Sequence, residues 1–271
     1  VTGPAPSPAR SVISSFTWIF LAPHLLIIPD ILLNVNNHTI IKNCTFEDCV
    51  ALEDGGALYV IGDDCELHNS TFTKNNAGDD GGAIYWTGVN GYVENITCNN
   101  NKVTGQTATS SNSKGGTVCL TGDNATITKS IFNVSSALVD GGALYITGNN
   151  VNVTKSDFID CTVYNTNDGK EHRGGAIYIL GNYTNVLECT FDKSKAQFGG
   201  DVFIEGHDVT VDHAKSTNAY AYSLGGSVFI KGDKATISWT NVSSAEAAIS
   251  GGAIYINGKY ATVENSTFNA T

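Results

Sequence analysis

This chain of 271 residues contains no methionine, and only 15% of it is charged. Basic residues are scarcest: 15 Lys and Arg face 26 Asp and Glu, a net charge of −11. That excludes a nucleic-acid surface, because phosphates need a basic face. Acidity names no partner by itself, since it also keeps surface proteins soluble. No two cysteines stand as Cys-x-x-Cys, so the spacing argues against a zinc site. Nor is there a nonapeptide calcium repeat. Seven cysteines is an odd number, so at least one is unpaired or bonds another chain. Most read as small apolar fillers. Cys44 and Cys49 are the nearest candidates for a local disulfide.

Glycine, asparagine, serine and threonine are plentiful instead, the composition of β-walls joined by polar turns. One phrase recurs. GGALY stands at 55–59 and 141–145, and GGAIY at 81–85, 174–178 and 251–255. GGTVC at 115–119, GGDVF at 199–203 and GGSVF at 225–229 are looser copies. From one Gly-Gly to the next the steps are 26, 34, 26, 33, 25, 26 and 26 residues. A period of this length predicts a solenoid.

After each Gly-Gly, apolar residues alternate, as in Leu58 and Val60, Ile84 and Trp86, or Ile177 and Ile179. Period two predicts a strand with one face inward. A second strand follows a further glycine, with Val151 and Val153 or Val209 and Val211 inward. A third carries Ser70 and Phe72, Ser130 and Phe132, or Ser156 and Phe158. A polar, Asn-rich stretch then leads to the next Gly-Gly. Three short strands cannot bury their apolar face alone, but stacked coils can. The expected fold is all-β: a right-handed parallel β-helix, three short strands per coil, about nine coils. At about 4.8 Å per coil the rod is roughly 40 Å long. Residues 31–271 form the β-helix, and 1–30 a Pro-rich lead with an apolar N-terminal arm or cap.

GGA[IL]Y, then G-x-[DN]-x-[TN]-[VI], then N-S-T-F resembles the parallel β-helix repeats of adhesin-like surface proteins of methanogenic archaea. It is similar also to the GGA[ILV] and F-x-x-N pairs of chlamydial polymorphic outer-membrane proteins. Phe72-Thr73-Lys74-Asn75 fits the second motif in full, and Cys98-Asn99-Asn100-Asn101 in part. The resemblance covers about residues 31–271 and implies a structural or adhesive role at a cell surface.

Several features depart from the bare repeat. Tyr59, Tyr85, Tyr145, Tyr178, Phe203, Phe229 and Tyr255 form an aromatic ladder. Parity with Asp201 and Lys231 places it on the exterior, where a stripe this long needs a cover. Residues 102–114 and 162–173 lengthen one turn and should project as loops, a common place for binding. The apolar arm holds Phe16, Trp18, Ile19, Phe20, Leu21, Leu25 and Leu26. Pro23 and His24 interrupt it, which favours a docking arm over a membrane span. The last residues, NSTFNAT, show no amphipathic cap, and an open end invites another chain.

Eleven Asn-x-Ser/Thr sequons are present, at Asn37, Asn43, Asn69, Asn95, Asn124, Asn133, Asn152, Asn182, Asn241, Asn265 and Asn269. Random placement would give about five. The expectation is N-glycosylation of several, hence export. The repeat itself accounts for some, since Asn43, Asn69, Asn95 and Asn265 share one repeat position.

Parallel β-helices also carry polysaccharide lyases and hydrolases, which need convergent carboxylates. Asp63-Asp64, Asp79-Asp80 and His207-Asp208 near Asp212-His213 are the candidates. Asp54, Asp80 and Asp140, however, recur before Gly-Gly as turn residues. The reading is therefore non-catalytic, with no cofactor and no metal. The chain is expected to be a glycosylated, extracellular or cell-surface structural protein that assembles head-to-tail with copies of itself into a filament or sheath. A monomeric adhesin or carbohydrate-binding fragment of a larger protein, contacting surface glycans or cells, is the alternative. A polysaccharide-active enzyme is the distant third.

Overall fold

The computed structural model describes residues 11–14, 17–19, 32–33, 37–105, 113–164 and 169–269. They form a parallel β-helix with four walls, one more than the sequence pattern predicts. One coil shows the order. Ile84–Thr87 lies on the first wall, Tyr92–Glu94 on the second, Thr97–Asn99 on the third and Lys102–Val103 on the fourth. The walls hold nine, ten, ten and eight strands, in line with about nine coils. The fourth strand is only two residues long in most coils and sits in the Asn-rich stretch, so alternation is too short there to read.

Every strand pairs in parallel with its counterpart one coil away. Ile84 faces Leu58 on one side and Val118 on the other, and Phe132 faces Phe158. Like residues thus stack on like. Phe46 and Phe72 stack at 4.8 Å, and Phe132, Phe158 and Phe191 at 5.0 and 5.1 Å. Those spacings are the rung repeat of a sheet, so one ladder buries rings and keeps them in contact. Cys98 fills a Phe place between Phe72 and Phe132.

The Gly-Gly pair has a steric cause. Gly81 sits at φ +65, and a Cβ there would lie 2.2 Å from the carbonyl oxygen of Ile84. A Cβ on Gly82 would lie 2.1 Å from the Gly116 oxygen of the next coil. The first glycine allows the left-handed corner and the second allows the coils to close on each other.

The other corners are left-handed as well, at 26 described non-glycine residues. Asn and Asp tolerate this conformation best, and Asn43, Asn69, Asn90, Asn95, Asn100 and Asn124 all adopt it. The F-x-x-N phrase has a second cause. Asn75 is fully buried; its Nδ2 donates to Phe46 O at 3.3 Å and its Oδ1 accepts from Cys49 N at 3.0 Å. Its own N–H bonds Asn101 Oδ1 at 2.9 Å, so buried amides link consecutive coils.

The N-terminal segment contributes strands. Ser11–Ser14 pairs with Thr39–Lys42 and Thr17–Ile19 with Thr45–Glu47, extending the second and third walls by a rung. Trp18 and Ile19 lie on that rung; Phe16, Phe20, Leu21, Leu25 and Leu26 lie outside the described residues. No described helix is long and apolar enough to cross a membrane.

Candidate functional site

The aromatic ladder stands on the outer face of the first wall, but it is not an exposed stripe. Tyr178 and Phe203 are only 3% exposed, and Tyr145 and Phe229 are also buried. The rings stack on each other: Tyr59 on Tyr85 at 4.9 Å, Tyr145 on Tyr178 at 5.1 Å, and Phe229 on Tyr255 at 4.9 Å. Cys119 occupies the gap between Tyr85 and Tyr145. In several coils the cover comes from the residue just before Gly-Gly, which folds back over the rings. Lys114 lies over Tyr145 and Arg173 over Tyr178, each at 4.7 Å, and Phe198 meets Phe229 edge-on at 5.9 Å. The ladder is a second small core, and no partner is needed to explain it.

The aspartates before Gly-Gly belong to the same column. Asp54 Oδ1 accepts the N–H of Asp80 at 3.0 Å, and Asp80 Oδ1 accepts that of Lys114 at 2.9 Å. Burial pushes the Asp80 carboxyl up to about 7, against the pull of the Lys114 N–H. Asp140 takes two 2.8 Å bonds from Arg173. These groups hold coil to coil and do not converge on an open cleft.

Several other carboxylates and histidines follow the same rule. Asn37, Asp63, Asn182, His207 and Asp233 share one column. Asp63 Oδ1 accepts the N–H of Val89 at 2.9 Å, and His207 Nδ1 accepts that of Asp233 at 3.0 Å. Asp212 accepts from His213 at 2.7 Å and from Ser238 at 2.6 Å. A shallow depression of 540 Å³ lies over Gly206 and Gly232, but Lys231 and Glu205 on its rim bond each other at 2.7 Å. Among the described residues no three His, Cys, Asp or Glu are grouped to hold a metal.

Two further expectations need correction. All seven cysteines are buried and free, so Cys44 and Cys49 form no disulfide. Cys44 Sγ donates to Lys42 O at 3.3 Å, as Ser70 Oγ does to His68 O one coil on, because both sit at one repeat position. Asp201 is the second. Parity placed it outside, yet it is fully buried. Its strand begins only at Val202, and alternation does not run back through the Gly-Gly corner. Asp201 stands where Ala occupies most coils, and Ser216 stands where Phe191 does one coil earlier. Ser216 Oγ donates to Asp201 Oδ2 at 2.5 Å. Burial pushes this carboxyl up to about 7, while Ser216, Ser227 and Ser194 pull it back.

None of the eleven sequon asparagines is buried. Several amide nitrogens, the atoms a glycan would use, are bonded: Asn95 Nδ2 to Asn69 Oδ1 at 2.7 Å, and Asn124 Nδ2 to Asn90 Oδ1 at 2.8 Å. Asn43, Asn69 and Asn95 lie on consecutive rungs, about 4.8 Å apart. The two inserts leave the helix between the fourth strand and Gly-Gly; 106–112 and 165–168 lie outside the described residues.

The strand, buried asparagine and Gly-Gly corner of one coil are therefore a single unit. Residues 69–85 match the Chlamydia polymorphic membrane protein repeat. The match spans Phe72, Asn75, Gly81, Gly82 and Ile84, the residues whose packing defines the coil. No curated protein matches the chain.

Sequence reasoning missed one class of surface residue. Tyr183, Trp239 and Tyr260 interrupt corner columns otherwise filled by Asn, Asp, Lys and similar polar residues, and all three are exposed. The break in the column was the available signal.

Proposed function

We propose that the chain is a non-catalytic, adhesin-like β-helix of a cell surface, placed extracellularly. One observation carries the reading. Asp54, Asp63, Asp80, Asp212 and His207, among the groups that could do chemistry, each bond the neighbouring coil, and they leave a rod with long outer walls. The polymorphic membrane protein repeat supports the surface placement. Immunogold labelling of unpermeabilised cells tests it: surface label is expected, and label only after permeabilisation overturns it.

Head-to-tail assembly is the second reading, with N-glycans on the exposed sequons. Ile254 and Ile256 pack against the core from one side only, and Phe268 on the same coil is 40% exposed. Such a face accepts another rung, from a second copy or from further chain. Electron microscopy of native material, with intact-mass measurement, decides it. Fibres with glycan mass are expected; single rods of bare polypeptide mass reject both.

A further inference from the structure

Tyr183 and Trp239 hold left-handed backbone at φ 58 and φ 48. For a bulky side chain this is an outlier that needs a compensating gain. The columns they interrupt carry Asn124, Asn150 and Asp208 on one side, Lys129, Lys155 and Asn265 on the other. The fold gains little in return. Tyr183 is 58% exposed and makes no ring contact among the described residues, and Trp239 is also 58% exposed. The ring contact of Trp239 among the described residues is with His213, with centroids 5.9 Å apart and planes 19° from parallel.

These two rings stand at opposite corners of the second wall. Tyr183 precedes Asn185–Leu187 and Trp239 follows Thr236–Ser238, two rungs away. That offset is about 10 Å along the axis. Between them runs a column of short neutral groups, Asn185, Thr210 and Thr236, in register on successive strands and continued by Thr262 on the next. Of the two carboxylates beside that column, Asp212 is occupied by His213 and Ser238, and Glu264 stands beside Thr262, beyond the rung of Trp239.

We infer that this outer face of the second wall binds a neutral polysaccharide, with Tyr183 and Trp239 stacking on sugar rings and the Thr/Asn column meeting the hydroxyls. Sugars present apolar C–H faces and polar edges, and an amphipathic aromatic suits the first while hydroxyls and amides suit the second. The net charge of −11 disfavours an acidic chain. The inference deepens the surface reading by naming a ligand class, and rests on it only for where the ligand is met.

The test is affinity retention of the whole chain on cellulose, chitin, mannan and xylan, with tryptophan emission as the second readout. Trp239 is one of three tryptophans, and Trp86 is fully buried. Retention on at least one polysaccharide is expected, with a change in emission on binding. The double variant Tyr183→Asn, Trp239→Asn should bind at least tenfold more weakly and lose the emission change. Its Tm should be equal or higher, since Asn suits both corners. Tyr222→Asn, on the fourth wall, should bind as the parent does. No retention on any of the four, unchanged retention in the double variant, or no emission change in the parent overturns the inference. A parent that is not retained leaves the surface reading standing, because labelling of intact cells decides that separately.

Discussion

Asp201→Asn should stabilise the protein at alkaline pH and not at acid pH. Asp201 is fully buried, and burial lifts its carboxyl to about 7. An unfolded aspartate ionises near 4, so the offset is about three pH units, worth about 4 kcal/mol at about 1.4 kcal/mol each. The sign follows from the raised folded value. Below about pH 4 both states hold the proton and the stability is fully present. Between about 4 and 7 the unfolded chain releases the proton first, so stability falls as pH rises; above about 7 the penalty is complete. Asparagine has nearly the same shape, no charge, and an amide that can bond the Ser216 hydroxyl. Urea denaturation of parent and variant at pH 4, 6 and 8, followed by circular dichroism, reads the difference. The variant should gain up to about 4 kcal/mol at pH 8 and little at pH 4. A difference that does not change with pH, or a variant less stable at pH 8, refutes the account of this buried acid.

Gly82→Ala should cost more than the usual overpacking range of about 1–3 kcal/mol, since its Cβ meets the Gly116 backbone oxygen at 2.1 Å; thermal melting measures it. Val134→Asn should gain about 1 kcal/mol, because a β-branched residue is held at φ 53 on an exposed corner, and the same melt detects the rise in Tm. The native chain should react with none of its seven thiols in a thiol-titrating dye at pH 8, and with all seven after unfolding. Burial pushes Cys161 and Cys189 up to about 12, so neither thiolate nor access is available in the fold.

The coil was legible because its residues obey local rules repeated at one period. Gly81 and Gly82 are demanded by a corner and a close approach, Ile84 and Trp86 by alternation, Phe72 and Asn75 by a buried ring and a buried amide. Each constraint recurs, so the repeat exposes it. The fourth wall escaped because two residues, such as Lys102 and Val103, cannot display a period. Asp201 escaped because parity was counted through a corner.

What belongs to the sequence alone is therefore the solenoid: parallel strands, about nine coils, glycine corners and stacked apolar ladders. Tertiary structure decided which outer surfaces are free. The aromatic ladder is covered by residues such as Arg173 and Phe198, which fold back from the preceding corner, whereas Tyr183 and Trp239 stay open on theirs. The repeat places each set, the ladder after Gly-Gly and the two rings in corner columns, but does not fix whether a ring is covered. Cover depends on which side chain the corner supplies and how it folds, within a coil for Arg173 and Tyr178 and across coils for Phe198 and Phe229, which no alternation pattern records.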